Sequence, residues 1–140
     1  GGGFGMIPKF RAWDRLRKEM NYKVMVGNCD LSDENWTCPI IWIEEKKDWL
    51  HFDDYECIMQ STGLKDKNGK EIFEGDVLEI QDEGEVLGNA KLTWDNEQAV
   101  FMIEAISVDD IAPFHEILSD ESYSYRVVGN VYENPELLEN

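Results

Sequence analysis

The chain has 140 residues, of which 42% are hydrophobic, and its 30 acidic and 13 basic residues give a formal net charge of −17. This length and apolar content suffice for one domain, or one domain with a small appendage, that removes roughly two thirds of its unfolded surface from water. The charge repels nucleic-acid phosphates, which argues against direct DNA or RNA binding.

The apolar runs and the cysteines indicate the cellular compartment in which the protein is expected. The longest apolar run, residues 39–43, is far too short to cross a bilayer, and nothing resembles a secretion signal. Three cysteines without a C-x-x-C pair predict neither a disulfide framework nor a zinc site; they are Cys29, Cys38 and Cys57. We expect a cytoplasmic protein without a membrane segment, and we interpret residues 1–5, ahead of Met6, as a cloning remnant.

Residues 6–60 predict a β-rich N-terminal segment. Lys9–Trp13 alternates polar and apolar residues, as a half-buried strand does, and Tyr22–Val26 is predicted to return and pair with it. Residues 15–20 between them form either a helical turn or a wide hairpin loop. The polar stretch 29–37 is predicted to be a loop, in which Trp36 is exposed or held by another subunit. Ile40–Ile43 and Trp49–Phe52 predict a second hairpin.

Residues 61–140 predict a barrel core that begins with two turns. In Asp66–Gly69, residues Asn68 and Gly69 can take the positive φ of a tight hairpin turn. A core pair, Ile72 and Phe73, follows. Residues 74–76 then predict another turn, and the strand 77–80 comes after it.

The rest of the chain predicts a meander and a short C-terminal helix. Ala90–Trp94 and Gln98–Ile103 alternate on either side of a turn-rich connection, which is typical of a hairpin. Residues 115–118 fit either a short helix or a strand, and 126–128 predict the last strand. After it, residues 131–133 are expected to continue extended, and Asn134 is expected to cap a helical turn that Pro135 opens.

Patterns that would carry catalysis or bind a cofactor are weak. Gly63–Glu71 differs from a phosphate-binding loop in the spacing of its glycines and from a calcium loop in its ligands. His51, with carboxylates at positions 53, 54 and 56, is the only histidine–carboxylate cluster, and an exposed acidic turn explains it better than a metal site. The serines and cysteines form no nucleophile–base set. We predict no catalytic, cofactor or metal residues.

Gln60 and Thr62 are polar residues beside Gly63 in the most distinctive run of the chain. Their side chains could bond to backbone groups at a strand end or could face a partner, and the general rule that buried polar groups find backbone partners favours the structural role. Together with Trp36 they are the candidate interaction or structural positions.

Three stretches carry a family resemblance: Met59–Asp76, Val128–Leu138 and Ile7–Asp14. They resemble the YopX family of phage and prophage proteins. The resemblance implies a small β-rich protein of a host bacterial cell and brings no established activity. The fold predicted is mainly β: a small SH3-like barrel built from hairpins, with an N-terminal β extension and a short C-terminal helix.

Three functions fit these observations, in decreasing order of support. The first is a non-enzymatic, self-associating interaction module that binds a phage or host protein. The second is an acidic DNA mimic that occupies a nucleic-acid-binding protein, and the third is a small hydrolase or metal-dependent enzyme that uses the region of His51. Exposed strand edges and five tryptophans predict a homo-oligomer held by apolar contacts.

Overall fold

The computed structural model describes residues 8–15, 17–27, 40–44, 47–50 and 58–139. Contacts divide the chain into two compact units, and the boundary between them falls between Gln60 and Ser61. Each unit is built mainly from antiparallel strands.

Within the described residues, the N-terminal unit contains five strands and the start of a sixth. They are β1 (Phe10–Asp14), β2 (Glu19–Asn21), β3 (Val24–Gly27), β4 (Ile40–Ile43), β5 (Asp48–Leu50) and the first residues of β6 (Ile58–Lys65). β1 pairs with β2 on one side and with the start of β6 on the other. β3, β4 and β5 form a separate three-stranded sheet, which confirms the second predicted hairpin.

The predicted pairing of residues 9–13 with 22–26 is wrong. β1 pairs with the short strand β2, so that Ala12 lies opposite Asn21, whereas β3 pairs with β4. The chain leaves the β1 ladder after Asn21, and the side chains of Val24 and Val26 pack against the fully buried Ala12. Apolar residues of β3 therefore contact β1 through side chains and not through ladder hydrogen bonds. The segment between β1 and β2 is a hairpin loop.

The C-terminal unit begins with the remainder of β6. The elements that follow are β7 (Glu71–Phe73), β8 (Asp76–Asp82), β9 (Glu85–Asp95), β10 (Val100–Ala105), β11 (Ile111–Pro113), α1 (Phe114–Leu118), β12 (Tyr123–Asn130) and a 3-10 helix (Pro135–Leu138). Five strands form one antiparallel sheet in the order β11-β10-β9-β8-β12. This mainly β architecture with a short C-terminal helix is the predicted fold class. In the described residues, β11 and β12 are the two edge strands of this sheet, and they do not pair with each other to close it. The SH3-like barrel therefore stays a prediction.

One hydrophobic core stabilises this unit. Its buried members come from β7, β8, β9, β10 and α1, and are Ile72, Leu78, Ile80, Ala90, Leu92, Ile103 and Phe114. The ring of Phe114 contacts Tyr125 of β12 edge to face, with centroids 5.4 Å apart. The short helix α1 is thus anchored on the sheet by a buried aromatic side chain.

The predicted hairpin of residues 90–103 is confirmed as β9 and β10, with a correction at its turn. Gln98 and Ala99 belong to the turn and not to the strand, and the Asp95 carboxylate accepts backbone hydrogen bonds from Glu97 and Gln98 at 2.8 and 3.2 Å. The hairpin between β8 and β9 was not among the predicted hairpins. Glu83 and Gly84 form its turn, and both have positive φ.

Residues 131–133, predicted to be extended, form a turn. The buried side chain of Asn130 explains it: its Oδ1 accepts hydrogen bonds from the backbone N–H groups of Tyr132 and Glu133 at 3.0 and 2.8 Å. Asn134 is the N-cap residue of the 3-10 helix that Pro135 opens, as predicted, but the expected side-chain cap bond is absent, because the Asn134 side chain accepts from the Asn130 N–H instead.

Gly69 has φ +84°, as the turn predicts, whereas Asn68 does not take positive φ. We expect Gly69→Val to lower the free energy of unfolding by roughly 1–2 kcal/mol, because a β-branched residue is strained at that φ. Open space around the position excludes a clash as the cause. Thermal melting measures the effect, with Asn68→Val as the control that changes the same turn without that strain. Equal midpoints for both variants would contradict the assignment.

Candidate functional site

A cavity of about 390 Å³ opens in the C-terminal unit. It lies where the five-stranded sheet meets α1 and the loop 106–110, and we call it the groove. Its floor is apolar: Ile80 and Ile103 come from the sheet, Ile117 from α1 and Tyr123 from β12. The volume lies within the range of about 300–1,000 Å³ that is usual for ligand clefts.

Two exposed apolar side chains stand at the groove. Leu87 and Val108 line it and are 57% and 61% exposed. Leu87 falls at a break in the pairing of β8 with β9, where Ile80 lies opposite Gly88 and Gln81 opposite Val86. A bulge of this kind redirects a side chain out of the regular alternation.

The loop that carries Val108 is held to the sheet through its backbone. The N–H of Ile106 donates to the carbonyl of Asn89 at 3.0 Å, and the N–H of Ala105 donates to the carbonyl of Asp110 at 2.9 Å. A third bond, from the Asp110 N–H to the Val108 carbonyl at 3.0 Å, closes the loop on itself. The exposure of Val108 is therefore fixed by the bonds of the loop around it.

The charge of the groove is of one sign. Asp110 and Glu116 are its charged lining residues, and no lysine or arginine of the described residues lines it. Ser107 and Asn89 add uncharged polar groups. The two carboxylates form no side-chain hydrogen bond or ion pair with the described part of the chain. The arrangement is a cleft with an apolar floor and acidic residues at its edge.

Among the described residues, the groove is lined by two carboxylates and two hydroxyl groups. Within the part of the chain that the structure describes, these hydroxyls belong to Ser107 and Tyr123, and no histidine lines the groove to act as a base. Within residues 8–15, 17–27, 40–44, 47–50 and 58–139, no group of three or more metal-binding side chains comes together. Within the same residues, no helix is long and apolar enough to span a membrane. The cluster around His51 lies outside the described residues.

Of the residues singled out from the sequence, Gln60 and Thr62 do not line the groove. Trp36 is outside the described residues. Gln60 is half-buried in β6, opposite Phe10 of β1. Thr62 is buried, and its hydroxyl donates to the carbonyl of Ile72 at 2.8 Å and accepts from the N–H of Leu64 at 3.1 Å. The Thr62 hydroxyl thus fixes the β6–β7 hairpin and does not line the groove.

A buried carboxylate holds the turn that follows β6. The Oδ1 of Asp66 accepts from the N–H groups of Asn68 and Lys70 at 2.9 and 2.8 Å, and its Oδ2 accepts from the N–H of Val127 in β12 at 2.8 Å. Burial by itself raises the pKa of this carboxyl, but the three backbone hydrogen bonds and the charge of Lys70 outweigh it and lower the pKa below its ordinary value. The carboxylate is a structural anchor.

The comparisons with known proteins agree with this fold. The model of the family described as YopX protein matches residues 9–139. The chain belongs to the YopX family. This YopX chain is similar to the crystal structure of protein EF1440 from Enterococcus faecalis, with 32% identity over 96% of this chain and 100% of that one and a TM-score of 0.61. No curated protein matches the sequence.

A more distant structure shares the fold. Protein yopX from Bacillus subtilis is 18% identical, with 94% of this YopX chain and 98% of the other covered and a TM-score of 0.61. At this identity the likeness concerns the fold alone. The resemblance that the sequence motifs carry is confirmed, and the function has to be argued from the groove.

Proposed function

We propose that the protein is a non-enzymatic interaction module that binds a partner protein through the groove. The observation that carries the proposal is the exposure of Leu87 and Val108 at the edge of a cleft with an apolar floor. Exposed apolar side chains grouped at a concave surface are typical of binding sites. The proposal places the protein in the cytoplasm of a bacterial cell, encoded by a phage or prophage and acting on a phage or host protein.

Self-association is part of the same proposal. Contacts between exposed side chains are a better candidate for it than pairing between the sheet edges of the C-terminal unit. The loop 66–70 covers part of β12, since the carbonyl of Tyr125 accepts from the N–H of Lys67 at 3.2 Å. At the other edge, β11 is only three residues long and ends in Pro113. Short strands and proline protect an edge against pairing with another sheet.

The net charge of −17 favours a second candidate, a mimic of DNA that occupies a nucleic-acid-binding protein. The two candidates differ in what releases the partner. A mimic competes with DNA for one site, whereas a partner held by the groove depends on its apolar residues.

Capture of partners from host-cell lysate tests the proposal with the pair Val108→Asn and Val86→Asn. Both valines are exposed, at 61% and 56%, and only Val108 lines the groove. We expect the wild-type protein and Val86→Asn to retain the same partner, and Val108→Asn to lose most of it. Light scattering of the same samples gives the oligomeric mass.

Equal retention by Val108→Asn and Val86→Asn, or retention of no partner above background, would overturn the proposal. Release of the captured protein by duplex DNA, with no effect of Val108→Asn, would favour the mimic.

A further inference from the structure

We propose that the groove binds a short segment with an apolar side chain flanked by lysine or arginine. The inference rests on the proposed function and adds the chemistry of the partner. It follows from two features of the groove: its preformed apolar floor and the sign of its charge.

The floor is preformed because it is part of the core. Ile80 and Ile103 are buried members of the core cluster, and Ile117 and Tyr123 pack against that cluster. A site whose walls are fixed by core packing loses little conformational entropy when a ligand enters. An apolar side chain of the partner would contact this floor, and Leu87 and Val108 would extend the contact at the edge of the groove.

The charge of the groove determines which residues of the partner can flank that apolar side chain. Among the described residues no cation pairs with Asp110 or Glu116 at the groove, and the chain as a whole carries −17. Lysine or arginine beside the inserted side chain would meet both carboxylates, while an acidic segment would be repelled.

The same charge argues against a second copy of this chain in the groove. In a two-fold symmetric contact whose axis passes through the groove, each groove faces its equivalent, so Asp110 and Glu116 would approach the same residues of the other copy. The described lining of the groove provides no cation to offset that repulsion. A basic and apolar segment of another protein satisfies both the floor and the carboxylates.

The test is fluorescence polarisation with the full chain and four dye-labelled nonapeptides. The first has a central leucine with two lysines on each side and two glycines at each end. The second replaces the lysines with glutamates, the third replaces them with serines, and the fourth keeps the lysines and replaces the leucine with serine. We expect the first peptide to bind at least about 10-fold more tightly than the second and the fourth, and to weaken as salt is raised.

Two double variants distinguish the effect of the groove carboxylates from the effect of the protein's overall negative charge. Asp110→Asn with Glu116→Gln should weaken the lysine peptide about 3- to 10-fold and leave the serine-flanked peptide unchanged. Glu97→Gln with Glu121→Gln removes the same charge at exposed positions that do not line the groove, and should change the affinity less than 2-fold. Unchanged melting midpoints establish that both variants are folded.

Equal affinity for the lysine and glutamate peptides, equal losses in the two double variants, or no binding of the lysine peptide would each overturn the inference. These failures differ from failure of the proposed function. If capture still depends on Val108, the groove binds a partner of other chemistry. If capture does not depend on Val108, the proposed function fails as well.

Discussion

Replacing Asp66 with alanine is expected to lower the free energy of unfolding by about 3 kcal/mol, because three backbone N–H groups lose their acceptor at once. The side chain is 7% exposed, so water does not easily take its place. Two of the donors, in Asn68 and Lys70, lie in the turn, and the third, in Val127, is 61 residues away in β12. Urea denaturation measures the loss.

Asp95→Ala is the matched control for this variant. Asp95 also accepts two backbone N–H bonds in a turn, but those bonds are exposed and local, so its loss should cost about 1 kcal/mol or less. Equal costs for the two variants would contradict the anchoring role of Asp66.

The same carboxylate predicts a pH dependence. Its pKa in the folded protein lies below the ordinary value of 3.8, so the ionised form stabilises the fold above that value, and the contribution is lost as the pH falls through the lowered pKa. The difference in unfolding free energy between wild type and Asp66→Asn should therefore shrink from pH 7 to pH 2.5. The other carboxylates titrate alike in the two proteins, so their contributions cancel in this difference. A constant difference would refute the assignment.

Gly129→Val is expected to lower the free energy of unfolding by about 3 kcal/mol through overpacking. A Cβ at this position would lie 2.5 Å from Oδ1 of Asn134 and 2.7 Å from Cδ1 of Leu137. The Asn134 side chain is held in place by the hydrogen bond it accepts from the Asn130 N–H at 3.2 Å. Relief of the clash would break that bond and displace the 3-10 helix.

A double-mutant cycle isolates this cause. In a background with Asn134→Ala and Leu137→Ala, both clashing side chains are gone, so the additional cost of Gly129→Val should fall to about 1 kcal/mol. Thermal or urea melts of the four proteins give the values. Strict additivity would mean that the contacts of Gly129 with the C-terminal segment do not cause the loss.

The features predicted from the sequence are the local ones. The turn at Gly69 and the hairpin of β9 and β10 follow from turn formers and alternation within about ten residues, and both are confirmed. The pairing of β1 with β2 was missed because short strands carry little alternation, and the similar pattern of residues 22–26 competes for the same partner.

The groove and the anchor depend on contacts that are distant in the chain. Leu87 and Val108 read as ordinary strand and loop residues, and only the bulge in β9 and the backbone bonds of the loop leave them exposed at one cleft. Asp66 was recognised as a turn former, but nothing near it in the sequence indicates its bond to Val127.

The most direct test of the central claim, that the groove binds a basic and apolar segment of a partner protein, is an NMR titration of the isotope-labelled full chain with the lysine-flanked leucine peptide. Backbone amide shifts should concentrate at residues that line the groove, including Leu87, Val108 and Ile117, and should be suppressed by Val108→Asn. Amides of the same unit that do not line the groove, such as that of Gly69, should stay unchanged. Shifts that fall outside the groove, or no shifts at millimolar peptide, would contradict the account.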